Sequence, residues 1–190
     1  MENKGFYDLK WTDKRGIDVQ VKAKVYQPLR TTEASHETLE FEFTLLAEDS
    51  FYYSQAEKTA NGGLGQLGGN VLPNVLPNNL FGGTDYIEIE NDGDSKAGMF
   101  FQALGTLVNP RITNITTGQT MKITGTTTKL VVDNREKPFI ITDNGVNIKA
   151  QQTGQYLYLV AGLNHIVLSA ENYVSEDQAE VYIKYRDTYE

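Results

Sequence analysis

The chain has 190 residues, 39% of them hydrophobic, enough for one well-filled domain with an appendage or for two small domains. Its formal net charge of −8 repels phosphate backbones and argues against nucleic-acid binding. The absence of cysteine excludes disulfides and thiolate metal sites, and no stretch approaches the ~20 apolar residues of a membrane span.

The start, Met1-Glu2-Asn3-Lys4-Gly5, has no apolar core of a signal peptide, so synthesis in the cytoplasm is expected. The first clear element is a strand over residues 17–25. There Ile17, Val19, Val21, Ala23 and Val25 alternate with Asp18, Gln20, Lys22 and Lys24, a period of two with one wet face. Phe6 and Trp11 lie upstream in a partner strand that reverses at residues 12–16. Residues 27–38 are polar and read as a loop or a short helix. Residues 39–45 alternate again, with Leu39, Phe41, Phe43 and Leu45 on one face, and residues 49–56 read as a helical turn or irregular chain.

Residues 61–83 break the composition, with seven glycines and two prolines and a tandem Val71-Leu72-Pro73-Asn74, Val75-Leu76-Pro77-Asn78. Glycine makes such a stretch pliant and proline stiffens it, so it reads as a linker. The expected organisation is therefore a small N-terminal β-element at 1–60, a linker at 61–83 and a β-sandwich at 84–190. In that last part, turn signals recur about every 10 residues, the spacing of a sandwich or barrel. Strands are expected at residues 86–90, 99–108, 111–115, 120–124, 130–132, 139–142, 146–149, 156–160, 165–169 and 179–185. No helix of ordinary length is legible there, so the predicted class is all-β, an antiparallel sandwich.

Reaction chemistry is not legible. Gly63-Leu64-Gly65-Gln66-Leu67-Gly68 matches a dinucleotide fingerprint by letter, but prolines follow it instead of the helix that the mechanism needs. Glu88, Glu90, Asp92 and Asp94 lack the positions of a calcium loop and read as a solvated hairpin tip. His36 and His165 have no catalytic partners in the pattern. No catalytic, cofactor or metal residue is assigned, and the protein is read as not an enzyme. Asn114-Ile115-Thr116 is a glycosylation sequon by letter alone. Tyr156 and Tyr158 are tyrosines of the kind a sugar site uses, but both fall on one face of a strand and read as core or interface residues.

From about Leu80 onward the chain resembles the C-terminal domain of distal tail proteins of long-tailed, non-contractile bacteriophages. The resemblance runs through the stretch from Tyr86 to Gly93, then Leu107-Val108-Asn109-Pro110-Arg111 with Thr116-Thr117-Gly118, Val131-Val132-Asp133, Leu159-Val160-Ala161-Gly162 and Val181-Tyr182-Ile183-Lys184-Tyr185. The run from Leu45 to Tyr53 looks like the end of that family's N-terminal domain. The resemblance implies a galectin-like, jelly-roll-like sandwich on a ring-forming N-terminal domain, usually hexameric. It also implies a place in the virion between the tail tube and the baseplate hub or receptor-binding protein. Asn109-Pro110-Arg111 echoes a galectin sugar-site triplet without its preceding histidine or its following tryptophan.

The N-terminal strands are too few for a stable lone sheet, and their edges need partners. Trp11, Tyr26, Phe41 and Phe43 are the residues expected to bury contacts between copies of the chain. The alternative function is a carbohydrate-binding module that meets a host cell-wall saccharide.

Overall fold

The computed structural model describes residues 5–35, 38–62, 86–171 and 179–190. In chain order the strands are β1 (Tyr7–Thr12), β2 (Asp18–Ser35), β3 (Thr38–Ala47), β4 (Tyr52–Ser54), β5 (Lys58–Gly62), β6 (Ile87–Asn91), β7 (Met99–Val108) and β8 (Arg111–Asn114). They continue with β9 (Gln119–Ile123), β10 (Thr126–Asp133), β11 (Ile140–Asp143), β12 (Val146–Asn147), β13 (Gln152–Gly154), β14 (Gly162–Ser169), β15 (Glu180–Tyr185) and β16 (Thr188–Tyr189). A single 3-10 turn, at Lys149–Gln151, is the only helical piece among the described residues. The expected glycine hexapeptide, the Val-Leu-Pro-Asn repeat and His36 lie outside the described residues.

By contacts the chain divides into two units, residues 1–56 with 188–190, and residues 57–187. The boundary expected at residue 60 falls inside β5, which pairs with β15 along its whole length, Lys58 opposite Tyr185 and Gly62 opposite Val181. Lys58-Thr59-Ala60-Asn61-Gly62 is a weak β-former, and it is a strand because β15 offers it a complete ladder.

The larger unit is an antiparallel sandwich. One sheet has the order β12-β11-β10-β7-β15-β5 and the other β13-β9-β8-β14-β6. Alternation does the sorting: β7 turns Met99, Phe101 and Ala103 inward and β15 turns Val181, Ile183 and Tyr185 inward, onto Ile89, Ile112, Met121, Ile123, Ile166 and Leu168 of the facing sheet. Residues 99–108 form a strand as expected. The ladder between β7 and β10 shifts register between Thr127 and Lys129, a bulge. The acidic residues after β6 are not a free hairpin tip, because Asp92 Oδ2 lies 2.6 Å from Lys58 Nζ.

Residues 156–160 depart from expectation. They are extended, with Leu157 and Leu159 buried, yet among the described residues their only ladder contact is a bridge between Leu159 and Ala97. Side-chain amides replace the missing ladder. Asn134 Nδ2 donates to Leu157 O (2.6 Å), Asn114 Nδ2 to Tyr158 O (2.9 Å) and Asn164 Nδ2 to Val160 O (2.8 Å). Tyr158 N–H donates to Gln119 Oε1 (3.0 Å) and Val160 N–H to Asn164 Oδ1 (2.9 Å). A buried backbone must be paired somewhere, and here amides from both sheets do it. Asn114 is fully buried in this network, so the sequon does not present its asparagine to solvent.

Ahead of this strap, Gly154 has φ +84°, and a Cβ placed there would press on the carbonyl oxygen of Thr120 in β9. Backbone crowding and a left-handed φ act together, so Gly154→Ala is expected to cost about 2–3 kcal/mol in equilibrium guanidinium unfolding. A loss under about 0.5 kcal/mol would show that the strand simply shifts.

One cation holds together the places where the chain enters and leaves the sandwich. Lys58 Nζ is 2.8 Å from Asp187 Oδ2, and Asp187 is 4% exposed and accepts the Asp92 N–H at 3.0 Å. Burial alone would pull the lysine's pKa down, but its hydrogen bonds to Asp187 and Asp92 outweigh that and raise it. A raised lysine stabilises the fold at every pH below the ordinary lysine value, and the contribution is lost only as pH climbs through the folded-state pKa in strong alkali. Lys58→Met strands a nearly buried carboxylate and is expected to cost about 2–3 kcal/mol at neutral pH. Adding Asp187→Asn should restore part of that loss, and strict additivity of the two changes in a double-mutant cycle would refute the coupling.

Candidate assembly surface

The smaller unit is one sheet of order β1-β2-β4-β16, with β3 also paired to β2. Its first hairpin is set by Asp13, whose Oδ1 accepts the N–H groups of Arg15 (2.8 Å) and Ile17 (3.0 Å), with Gly16 at φ +81° closing the turn. The Ile17 N–H first, then the Arg15 side chain, lower the Asp13 pKa. The strand expected at residues 17–25 is there, and so is its upstream partner containing Trp11.

Register then divides the sheet into two unlike faces. Tyr7, Leu9 and Trp11 stand opposite Ala23, Val21 and Val19, and Ala23 and Val25 stand opposite Ala47 and Leu45. Directly opposed residues share a face, so these nine apolar side chains form one surface. The reverse face presents Asp8, Lys10, Gln20, Lys22 and Lys24. On the apolar face Val19, Val21 and Ala23 are buried, while Tyr7 (62% exposed), Val25 (48%), Leu9 and Tyr52 remain open to solvent.

The polar stretch expected to be loop or short helix is strand. β2 runs unbroken from Asp18 to Ser35 against β3, with register shifts between Val25 and Gln27, Gln27 and Arg30, and Glu33 and Ser35. Among the described residues, β2 from residue 24 onward pairs only with β3. The result is a two-stranded ribbon roughly 35 Å long, at about 3.3 Å per residue. Such a ribbon is marginal alone and carries two open edges of N–H and C=O groups.

The four residues expected to bury contacts divide between these features. Trp11 is half-buried and packs edge-on against Tyr52, ring centroids 5.1 Å apart, so it serves the unit's own sheet. Tyr26 is the extra residue of the first bulge and is 65% exposed. Phe43 is 46% exposed. Phe41 pairs through its backbone with Thr31 in the ribbon. The sequence reading did not propose Tyr7, Leu9, Val25, Leu46 or Tyr52 for contacts, and all are exposed apolar residues of the same unit. The alternation of Tyr7, Leu9 and Trp11 is the signal that marks the first two.

The galectin-like triplet is part of a turn. Asn109 has φ +48°, accepts the Gly125 N–H (2.8 Å) and donates to Glu171 (2.8 Å). Lys122 also holds Glu171, at 2.7 Å, and these two partners lower the Glu171 pKa, Lys122 more strongly. The side chain of His165 lies against the Tyr86 ring, centroids 4.2 Å apart, with Nε2 3.7 Å from Glu88. No helix among the described residues is long and apolar enough to cross a membrane.

No protein-family model matches the chain, and no curated protein sequence matches it. Among solved structures it is similar to the Dit (gp 19.1) protein of SPP1, described as a paradigm of the hub adsorption apparatus in phages infecting Gram-positive hosts. The TM-score is 0.59 at 8% sequence identity, over 95% of this chain and 64% of that one, so this chain spans a little under two thirds of its length. The chain has a Dit-like fold.

Proposed function

We propose that the protein is a structural component of a bacteriophage tail tip, built on the plan of a distal tail protein, and that it works by self-association without catalysing a reaction. The observation that carries this reading is the smaller unit's surface, an apolar sheet face with an open rim beside a ribbon whose edges lack partners among the described residues. Exposed apolar surface of that kind marks an interaction site, and open strand edges recruit further strands. A closed ring repeats one heterologous contact around an axis, and the rim and the ribbon are two different patches able to meet in that way. The likeness to a hub protein of a phage adsorption apparatus supports the setting in the virion, between the tail tube and the proteins that meet the host. The family resemblance points to six copies.

Native mass spectrometry and sedimentation velocity test the reading. A single closed oligomer at micromolar concentration, with six copies as the expected number, supports it. A monomer at every concentration up to millimolar overturns it.

A further inference from the structure

The solvent face of the six-stranded sheet, in the larger unit, carries an arrangement outside the surface proposed for assembly. Tyr182 on β15 stands directly opposite Asn61 on β5 and directly opposite Gln102 on β7. Three neighbouring strands thus present amide, aromatic and amide side by side. Two open depressions, of about 390 Å³ and about 330 Å³, meet at this row, and Tyr182 and Gln102 line both. Asn61, Leu104 and Glu180 also line the first, and Phe100, Arg135, Lys184 and Glu57 the second.

The groups here differ in how far they are committed. Every charge in the second depression is already paired: Arg135 lies 2.8 Å from both Asp133 and Glu57, and Lys184 lies 3.6 Å from Glu57. Arg135 also covers the Phe100 ring at 5.3 Å. Lys184 lies 5.3 Å from the Tyr182 ring but borders only the second depression. In contrast, neither amide nor the Tyr182 hydroxyl makes a side-chain hydrogen bond among the described residues. The other described asparagines, from Asn91 to Asn164, all use their side chains in internal hydrogen bonds. Asn61 is the exception, and it sits beside the aromatic ring.

We propose that this face binds a neutral oligosaccharide, with Tyr182 as the surface on which a sugar ring stacks and Asn61 and Gln102 bonding to its hydroxyls. An amide offers two donors and an acceptor, and that set bridges neighbouring hydroxyls. An aromatic ring at the edge of a depression offers apolar area at low entropic cost. An anionic ligand fits less well, because it would face Glu180 in the first depression and would have to break ion pairs in the second that already neutralise each other. A peptide strand would add to the β5 edge through its backbone and would not need the row. The site is independent of the assembly reading and of the Asn109-Pro110-Arg111 triplet.

The test is calorimetric titration of the full chain with maltohexaose, cellohexaose and mannohexaose in turn. At least one should bind at millimolar concentration or below. Tyr182→Ala should weaken that sugar roughly tenfold, the loss expected of one stacked ring. Gln102→Ala and Asn61→Ala should each weaken it about threefold, for one net hydrogen bond. Tyr182→Phe keeps the ring and should fall between Tyr182→Ala and the unaltered chain, while Leu163→Ala, on the opposite sheet, should change nothing. Unchanged far-UV dichroism and thermal midpoint certify each variant as folded, and Asn61→Ala, at an exposed position, and Gln102→Ala, at a half-buried one, remain decisive should Tyr182→Ala not fold. Silence from all three sugars overturns the proposal, as does binding that ignores these substitutions. Protection of this face by another protein with no sugar response overturns it as well.

Discussion

The double variant Tyr26→Asp/Phe43→Asp is expected to remain a folded monomer at concentrations at which the proposed assembly has the unaltered chain form a closed ring. Both side chains are largely open in the subunit, at 65% and 46% exposure, so the isolated chain loses little, within about 0.5 kcal/mol. In the assembled particle the same carboxylates would be forced into an apolar contact without partners. An unpaired charge at the centre of an interface costs at least about 3–4 kcal/mol, a factor of several hundred in affinity for each contact. A ring needs every contact, so the loss compounds around it. Sedimentation velocity reads the outcome, and a ring that survives both carboxylates would place the interface elsewhere. Trp11→Ala is a different kind of change. It removes the edge-on packing on Tyr52 and should lower the stability of the smaller unit itself before any effect on association.

Asn164→Ala is expected to be the most damaging single substitution in the sandwich. Its side chain is fully buried, donates to Val160 O and Gly162 O, and accepts from Val160 N–H and from Asn114 Nδ2. Removing it takes the partner from part-buried backbone groups of Val160 and Gly162 and from the buried Asn114 amide, and a fully stranded group costs about 1–3 kcal/mol. Because the four bonds belong to one network with Asn114, the total should approach 3–5 kcal/mol, about the ceiling for a single residue. Denaturant unfolding measures the sum, and hydrogen exchange should show the Val160 amide losing protection first. Asn61→Ala supplies the contrast, since that amide makes no internal bond and its loss should leave stability unchanged. Equal effects from the two variants would mean that the amide network does not hold the strap.

The same network shows where sequence reasoning runs out. Residues 156–160 alternate Tyr, Leu, Tyr, Leu, Val as a ladder strand does, and burial of Leu157 and Leu159 follows that pattern correctly. The pattern does not say who bonds the backbone, because apart from Asn164 the amides come from Asn91, Asn114, Gln119 and Asn134, more than 20 residues away along the chain. The sandwich was legible wherever one face is apolar, as in β7, β14 and β15. The ribbon was not legible, because residues 27–38 are polar at nearly every position and the three register shifts erase any period of two. β5 was hidden for the opposite reason: nothing in Lys58-Thr59-Ala60-Asn61-Gly62 favours a strand except its partner. Of the surface suggested for assembly, the exposed aromatics Tyr26 and Phe43 were named from the sequence. The rim at Tyr7, Leu9 and Tyr52 was missed, although its alternation was there to read. Lys58 drew no notice, since an ion pair with Asp187 joins residues 129 positions apart.

β16 supplies only Thr188 and Tyr189, yet these pair with Tyr53 and Tyr52 in a unit otherwise built from the first 56 residues. As the chain leaves the ribosome, the edge of β4 therefore waits for more than 130 residues of sandwich before its neighbour arrives. The order of synthesis means that this sheet is completed only after residues 57–187 have been made. The smaller unit therefore gains its last strand only after the larger one has had time to fold.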